Sequence, residues 1–352
     1  MSAHYPVTTK VTWAREISSI VQRRCVSCHQ PGGYAGFPLT TYAEARPWAV
    51  AIKEEVLAGE MPPWGAAPGI GHFANDRRPT RHEQEVIAAW VDGGTPYSLE
   101  ARVPGVQGPQ PEALTPQSPE GGVAIPLAPV EIGDAPQRTA SVTLQLPTEM
   151  VLTAWTFEPG TPAGIERVDL QLGSRWLGTW TPGESSITFP PDTGAPLPSS
   201  ALFSARIAYR TSPDRPGTGV TLADLFNRPV NDQVIDYSRL RVWMTKDRRP
   251  KAIRDVTIVR SWRAAGDVNL VALRPAGDTA AVQVLARFMN GRTEPIGVMD
   301  APSHGPHPTY RLARPLPLPA GARVETTGPV RLLYSAGATR TVKPNVSRRS
   351  RR

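Results

Sequence analysis

Proline is the feature that most restricts how this chain can fold. Its 352 residues include 39 prolines, which is well above the frequency of about 5% that is usual in globular proteins. Because proline fixes φ and lacks an amide donor, it interrupts helices and confines strands to edge positions, first residues or bulges. We therefore expect β-structure, turns and extended linkers to outweigh long helices.

The sequence pattern beyond residue 138 is typical of β-strands. Short runs rich in Val, Ile, Thr and aromatic residues are broken by Pro and Gly, as in SVTLQL, MVLTAWTF, RVDLQL and SARIAYR. This spacing is typical of antiparallel β-sandwiches. The length predicts two jelly-roll-like sandwiches, over 138–249 and 250–344.

Residues 1–99 instead show helical signals. Apolar residues at helical spacing predict an amphipathic helix over 13–24. Two Thr-x-x-Glu capping boxes, which begin at Thr41 and Thr80, predict two further helices. Gly59 is in the right place to end the first of these.

Both cysteines of the chain fall in one motif, Cys25-Val26-Ser27-Cys28-His29. A C-x-x-C-H run is typical of haem c attachment, in which two thiols bond the porphyrin vinyl groups and the histidine binds the iron. A thioredoxin-like dithiol would stand in a βαβ context, and a zinc site would need two more ligands nearby. Because the flanks are helical, we expect one covalent haem c on Cys25 and Cys28, with His29 as an iron ligand.

Met61 is the expected second iron ligand. It follows the end of a predicted helix and precedes Pro62-Pro63-Trp64, where two prolines stiffen the loop. His72 and His82 are the alternatives. An iron bound by His and Met has no open position, so it suits one-electron transfer rather than substrate chemistry.

A family resemblance covers residues 10–98. It is carried by VTWAREISSIVQRRCVSCHQPGG, PLTTYAEARPWAVAIKEEVLAGEMPPW and EVIAAWVDGG. On these motifs the segment resembles the monohaem cytochrome c domain of many bacterial periplasmic proteins. The resemblance implies an all-α class I cytochrome c-like fold with His29 and Met61 as axial ligands. It also implies that Arg46 and Trp48 lie near the haem, although ordinary packing is equally open for both.

The β-region shows a fainter resemblance, carried by FEPGTPAGIERVDLQLGS and LVALRPAGDTAAVQVLARFMNGRTEPIGV. These stretches are similar to copper type II ascorbate-dependent monooxygenases, the peptidylglycine alpha-hydroxylating kind. Where that family has copper-binding histidines, this chain has Glu166-Arg167, Ala208-Tyr209 and Pro275-Ala276-Gly277-Asp278. His304 and His307 lie in a Pro/Gly loop and are expected to face solvent. We therefore expect no copper, and a β-region that acts as a docking or binding module.

The remaining segments are a linker and a tail. Residues 100–137 are rich in Pro, Gly and Gln, which predicts an extended linker. The formal net charge is +8, and four of the last five residues are arginine. We expect the tail, 345–352, to be solvated, with an acidic partner or a membrane surface as the alternative. No basic stripe with interleaved aromatics indicates a nucleic-acid partner.

These expectations lead to three functional hypotheses. The first is a periplasmic c-type cytochrome that passes electrons to redox-protein partners. The second is a haem-bearing structural or assembly subunit of a larger membrane-associated redox complex. The third, a copper monooxygenase-like oxidoreductase, is disfavoured by the missing histidines. We identify no small-molecule substrate and no catalytic residue. Haem attachment implies a periplasmic or other extracytoplasmic location, although residues 1–10 lack the apolar core of a signal peptide.

Overall fold

A computed structural model describes most of the chain. The described residues are 9–98, 120–132, 137–160, 165–209, 234–236, 238–246, 250–277, 281–300 and 306–337. Within them the protein is mostly β, and helices occur only before residue 93.

The helices are short. They are α1 (Ser18–Arg24), α2 (Tyr42–Ala45), α3 (Ala49–Ala58) and α4 (Arg81–Asp92), with a π-helical turn at Trp13–Ile17 and a 3-10 turn at Arg46–Trp48. Both predicted capping boxes are confirmed, since the hydroxyls of Thr41 and Thr80 accept from the amides of Glu44 and Glu83. Gly59 ends α3 with a φ of 79°, a conformation that costs glycine little because it has no Cβ.

Nineteen strands are described. They are β1 (Val123–Pro126), β2 (Val130–Ile132), β3 (Gln137–Gln145), β4 (Met150–Glu158), β5 (Ile165–Leu172), β6 (Arg175–Trp180), β7 (Ile187–Thr188), β8 (Thr193–Leu197), β9 (Ser200–Tyr209), β10 (Val234–Asp236), β11 (Arg239–Thr245), β12 (Lys251–Ile258), β13 (Ser261–Arg263), β14 (Val268–Pro275), β15 (Val282–Arg287), β16 (Thr293–Met299), β17 (Tyr310–Leu318), β18 (Arg323–Thr326) and β19 (Val330–Ala336).

One long sheet runs through both halves of the β-region. Its strand order is β1-β11-β4-β8-β12-β19-β14-β17, with β7 also paired to β4. Two four-stranded sheets, β3-β9-β5-β6 and β13-β18-β15-β16, complete the layers, and β10 pairs with β2. The first buried core contains Trp155, Trp176 and Phe203, and the second contains Tyr310, Val324 and Leu332.

The long sheet corrects the expected fold class. Strand β12 pairs in parallel with β8 through Lys251–Thr193 and Ala252–Gly194, whereas the other strand pairs of the described residues are antiparallel. This short pairing joins the sheets of the two predicted sandwiches into one. Ile253 and Leu333, from the second half, pack in the first core. The β-region is therefore one continuous body instead of two separate sandwiches.

The all-α cytochrome c-like domain is also wrong as a fold prediction. The loop between α3 and α4 leaves the helices and buries Trp64 and Ala66 in the second β core. The amide of Ala67 donates to the carbonyl of Val298 at 2.8 Å, and the amide of Ala74 donates to that of Arg311 at 2.7 Å. The helices therefore belong to a segment that is built into a mostly β protein.

Other predicted segments fall partly outside the described residues. Strands β1 and β2 lie within the segment 100–137 that was predicted as a linker, and residues 100–119 and 133–136 of that segment are not among those described. The basic tail, 345–352, and His304 also lie outside them. None of the described helices has the length and apolar character needed to cross a membrane.

Candidate functional site

The cysteine motif forms a tight turn at the end of α1. The amide of Cys25 continues the helix by donating to Val21 O at 2.9 Å, and the amide of Cys28 donates to Cys25 O at 3.1 Å. Neither cysteine is in a disulfide. A Cβ on Gly33 would come within 2.5 Å of the carbonyl oxygen of Cys28, so this glycine lets the following loop fold back onto the turn.

The two thiols have different surroundings. Burial, followed by the neighbouring Cys28, raises the pKa of the Cys25 thiol to about 12, although part of the residue's surface is exposed. Cys25 is therefore a protonated thiol at neutral pH. Cys25 and Cys28 are both partly exposed, and the Cys28 sulfur lies next to the turn of the β-region that carries Gly183.

His29 lies in an aromatic environment. Its Nδ1 is 3.2 Å from the carbonyl oxygen of Phe37, and the two rings are 4.5 Å apart. Burial lowers the pKa of His29, which favours the neutral ring. Because a carbonyl oxygen only accepts, Nδ1 carries the proton and donates to Phe37, and Nε2 carries the lone pair.

Gly183 brings the β-region against the cysteine turn. It lies in the turn after β6 with a φ of 86°. A Cβ placed there would be 3.0 Å from the Cys28 sulfur, 3.1 Å from Arg77 Nη1 and 3.3 Å from Ser27 Oγ. Only glycine fits so closely, so the turn covers one side of Cys28 without a side chain.

The next residue, Glu184, is a buried carboxylate that ties three segments together. Its Oε2 is 3.2 Å from Arg77 Nη2 and its Oε1 is 3.1 Å from Arg311 Nη2. Asn75 Nδ2 also donates to Glu184 at 3.2 Å. The Glu184 side chain is 3% exposed, so these partners compensate a charge that would be costly to bury alone. We call Glu184, Arg77, Arg311 and Asn75 the Glu184 cluster.

A second carboxylate, Glu83, holds the end of α1. It accepts from Arg24 Nη2 at 2.9 Å and from Arg23 Nη2 at 3.1 Å. Burial by itself would raise the pKa of Glu83, but the amide of Thr80 and the two guanidinium groups outweigh it and lower that pKa to about 2.

These two carboxylate clusters border a groove beside the cysteine turn. The groove has a volume of about 200 Å³. Its lining is Arg23, Arg24, Ser27, Ala74, Asn75, Asp76, Arg77, Gly183, Glu184, Ser185 and Arg311. No sequence motif predicts this set, because its members come from four distant parts of the chain.

The haem prediction is corrected by several findings. The segment that carries Cys25, Cys28 and His29 is not an all-α cytochrome domain. In the part of the chain that the structure describes, no three or more His, Cys, Asp and Glu side chains form a group that could hold a metal ion. Arg46 is exposed, and Trp48, 46% exposed, stacks on Phe37 at 4.6 Å.

The other proposed ligands and His307 differ in exposure. Met61 is partly buried at the end of α3, where its amide donates to Glu55 O at 3.2 Å. His72 and His82 are exposed. His307 was expected to face solvent, and this is wrong. It is fully buried, with Nδ1 2.9 Å from the hydroxyl of Tyr310.

Comparisons with known proteins support neither family resemblance. No family model and no curated protein matches the sequence. The major capsid protein P2 from bacteriophage PM2 is similar over 62% of this chain and 98% of its own, with 10% identity and a TM-score of 0.30. A turret protein of Sulfolobus turreted icosahedral virus aligns over 61% of this chain and 98% of its own, with 9% identity and a TM-score of 0.17. An oxalate decarboxylase aligns over 67% and 87%, with 15% identity and a TM-score of 0.17.

TM-scores this low carry no argument about function. The predicted cytochrome and copper monooxygenase families are contradicted by the mostly β fold and by the described residues, among which no group could hold a metal ion.

Proposed function

We propose that the protein is a thiol-redox docking protein. Cys25 and Cys28 exchange between dithiol and disulfide, and the β-region holds them at a fixed surface for a partner. The observation that supports this most directly is a pair of partly exposed cysteines that share one turn and form no disulfide.

The turn geometry suits a disulfide. The hydrogen bond from the amide of Cys28 to the carbonyl of Cys25 closes a four-residue turn. Such turns bring their end Cα atoms within about 7 Å, close to the upper limit of the separation that a disulfide spans. Oxidation converts two thiols into one disulfide and releases two protons and two electrons. A disulfide of the partner takes up both electrons and becomes two thiols.

The roles of the two cysteines are assigned from their surroundings. Cys28 forms the mixed disulfide with the partner, because its sulfur lies beside Gly183 and Ser27, which line an open groove, whereas burial raises the pKa of the Cys25 thiol. Cys25 then resolves the mixed disulfide by attacking the Cys28 sulfur. We infer that the partners are redox proteins, and that the protein works outside the cytoplasm, where oxidising partners are abundant.

The β-region favours a second candidate, a structural subunit of a larger membrane-associated redox complex. The Glu184 cluster fixes the loop between α3 and α4 to the β-region, as a subunit with a defined docking geometry requires. Fixed partners that copurify at constant stoichiometry favour this candidate, and a protein that is isolated alone favours the free redox carrier.

The experiment is a redox titration of the full chain, exported to the periplasm, with mass spectrometry under denaturing conditions. We expect an oxidised form that is lighter by two hydrogen atoms. Cys25→Ser and Cys28→Ser, each with one remaining thiol, should not form it.

Two outcomes would overturn the proposal. In the first, both thiols stay reduced across the titration. In the second, a covalent adduct with a porphyrin absorption band occupies Cys25 and Cys28, which would reinstate the haem prediction.

A further inference from the structure

The groove beside the cysteine turn carries an excess of positive charge. Arg23, Arg24, Arg77 and Arg311 line it, and the carboxylates that pair with them are Glu83 and Glu184. Asp76, also in the lining, is paired with Arg78. Four guanidinium groups therefore share two carboxylates, which leaves a net positive surface.

The donors that a ligand can reach in the groove belong to Arg23 and Ser27. The Arg23 side chain is 50% exposed and uses only Nη2 on Glu83 among its described hydrogen bonds. Ser27, which is exposed, adds a hydroxyl. Guanidinium groups with unused N–H donors suit carboxylate groups, which they can bind through two parallel hydrogen bonds.

The groove adjoins the Cys28 thiol. Gly183 lines the groove, and its Cβ position lies 3.0 Å from the Cys28 sulfur. Ser27 lines it too and directly precedes Cys28. A ligand held there by its carboxylates is therefore next to the thiol that reacts first.

We infer that this groove selects small anionic disulfides, those of carboxylate-bearing thiols, as the oxidants of Cys25 and Cys28. The inference rests on the proposed dithiol function and adds a substrate class to it. The Cys28 thiolate attacks one sulfur of the disulfide, forms a mixed disulfide and releases one thiolate. Cys25 gives up its proton, attacks the Cys28 sulfur and displaces the second thiolate. Two protein thiols are oxidised, one small disulfide is reduced, and two protons leave.

The test compares three disulfides of different charge on the full chain. The probes are oxidised glutathione, which is anionic, bis(2-hydroxyethyl) disulfide, which is neutral, and cystamine, which is cationic. We expect the second-order rate of oxidation to fall in that order. The difference should shrink as ionic strength rises, because salt screens steering by exposed charges.

Two variants test whether the groove causes this order. Arg23→Gln should lower the ratio of the anionic to the neutral rate several-fold. Arg254→Gln, which removes an exposed arginine of β12 that does not line the groove, should leave this ratio unchanged. The rate with the neutral probe reports in both variants whether the thiols remain as accessible as before.

The outcomes separate the inference from the proposed function. Equal rates with all three probes, or a ratio that Arg23→Gln does not change, would overturn the anion selectivity and leave the dithiol function standing. If none of the probes produces the Cys25–Cys28 disulfide, the anion selectivity and the dithiol function are both wrong.

Discussion

The helical segment and the β-region are stabilised in different ways. The helical segment has the smallest of the three buried cores, built around Trp13, Ile17 and Trp90, and its α-helices are four to twelve residues long. The β-region has two larger cores and a sheet that runs through both. A small core stabilises little by itself. The comparison suggests that the helical segment depends on its attachments to the β-region, through Trp64, the Glu184 cluster and Gly183.

Removal of Trp64 should have the largest effect. Trp64 belongs to the helical segment's long loop but is 2% exposed within a β core. Trp64→Ala should lower the free energy of unfolding by about 3–5 kcal/mol, the usual cost of deleting a buried aromatic side chain. The measurement is urea unfolding followed by circular dichroism. The control is Trp48→Ala, at a residue that is 46% exposed. An equal loss of unfolding free energy in both variants would contradict the dependence of the helical segment on Trp64.

Breaking the Glu184 cluster should cost somewhat less. Glu184→Gln leaves Arg77 and Arg311 without their buried carboxylate, so we expect the free energy of unfolding to fall by about 3 kcal/mol. The control is Glu325→Gln, which breaks an exposed pair with Arg287 and should cause no measurable change. A similar change in the free energy of unfolding for both variants would mean that the Glu184 cluster does not stabilise the attachment of the helical segment to the β-region.

Gly183→Ala should have a smaller effect on stability but a specific effect on Cys28. A φ of 86° and a Cβ contact at 3.0 Å from the Cys28 sulfur predict a loss of about 1–3 kcal/mol. Gly173→Ala is a matched control, because its φ is 58° and nothing lies within 4 Å of its Cβ position. Only Gly183→Ala should also change the rate at which a thiol reagent modifies Cys28. The same rate in both variants would show that the turn does not cover the sulfur.

A pH dependence is predicted at Glu83. Its pKa is lowered from 4.5 to about 2 in the folded protein, so its contribution to stability is complete above about pH 4.5 and is lost as the pH falls towards 2. Glu83→Gln keeps a side chain that can serve in the capping box and should flatten the loss of stability in this range. Glu85→Gln, in the same helix but 62% exposed, should leave the pH dependence of the unfolding free energy unchanged. This dependence is measured by urea unfolding at several pH values.

Local signals in the sequence placed the helix boundaries well. Thr41, Thr80 and Gly59 act on residues within one turn of their own position, through hydrogen bonds and backbone conformation that depend little on the rest of the chain. The cysteine turn is local in the same sense, since its hydrogen bonds link residues three or four apart. What these local elements assemble into does not follow from them, which is why the cytochrome identification was wrong.

The sequence by itself determined where helices begin and end and that two thiols share one turn. Only the tertiary structure decided that β8 pairs with β12, that His307 is buried, and that Gly183 covers Cys28. It also decided that Glu184 meets Arg77 and Arg311, which lie more than a hundred residues away on either side. The physical reason is that caps and turns are satisfied by neighbours in sequence, whereas burial and ion pairing depend on which distant surfaces pack together.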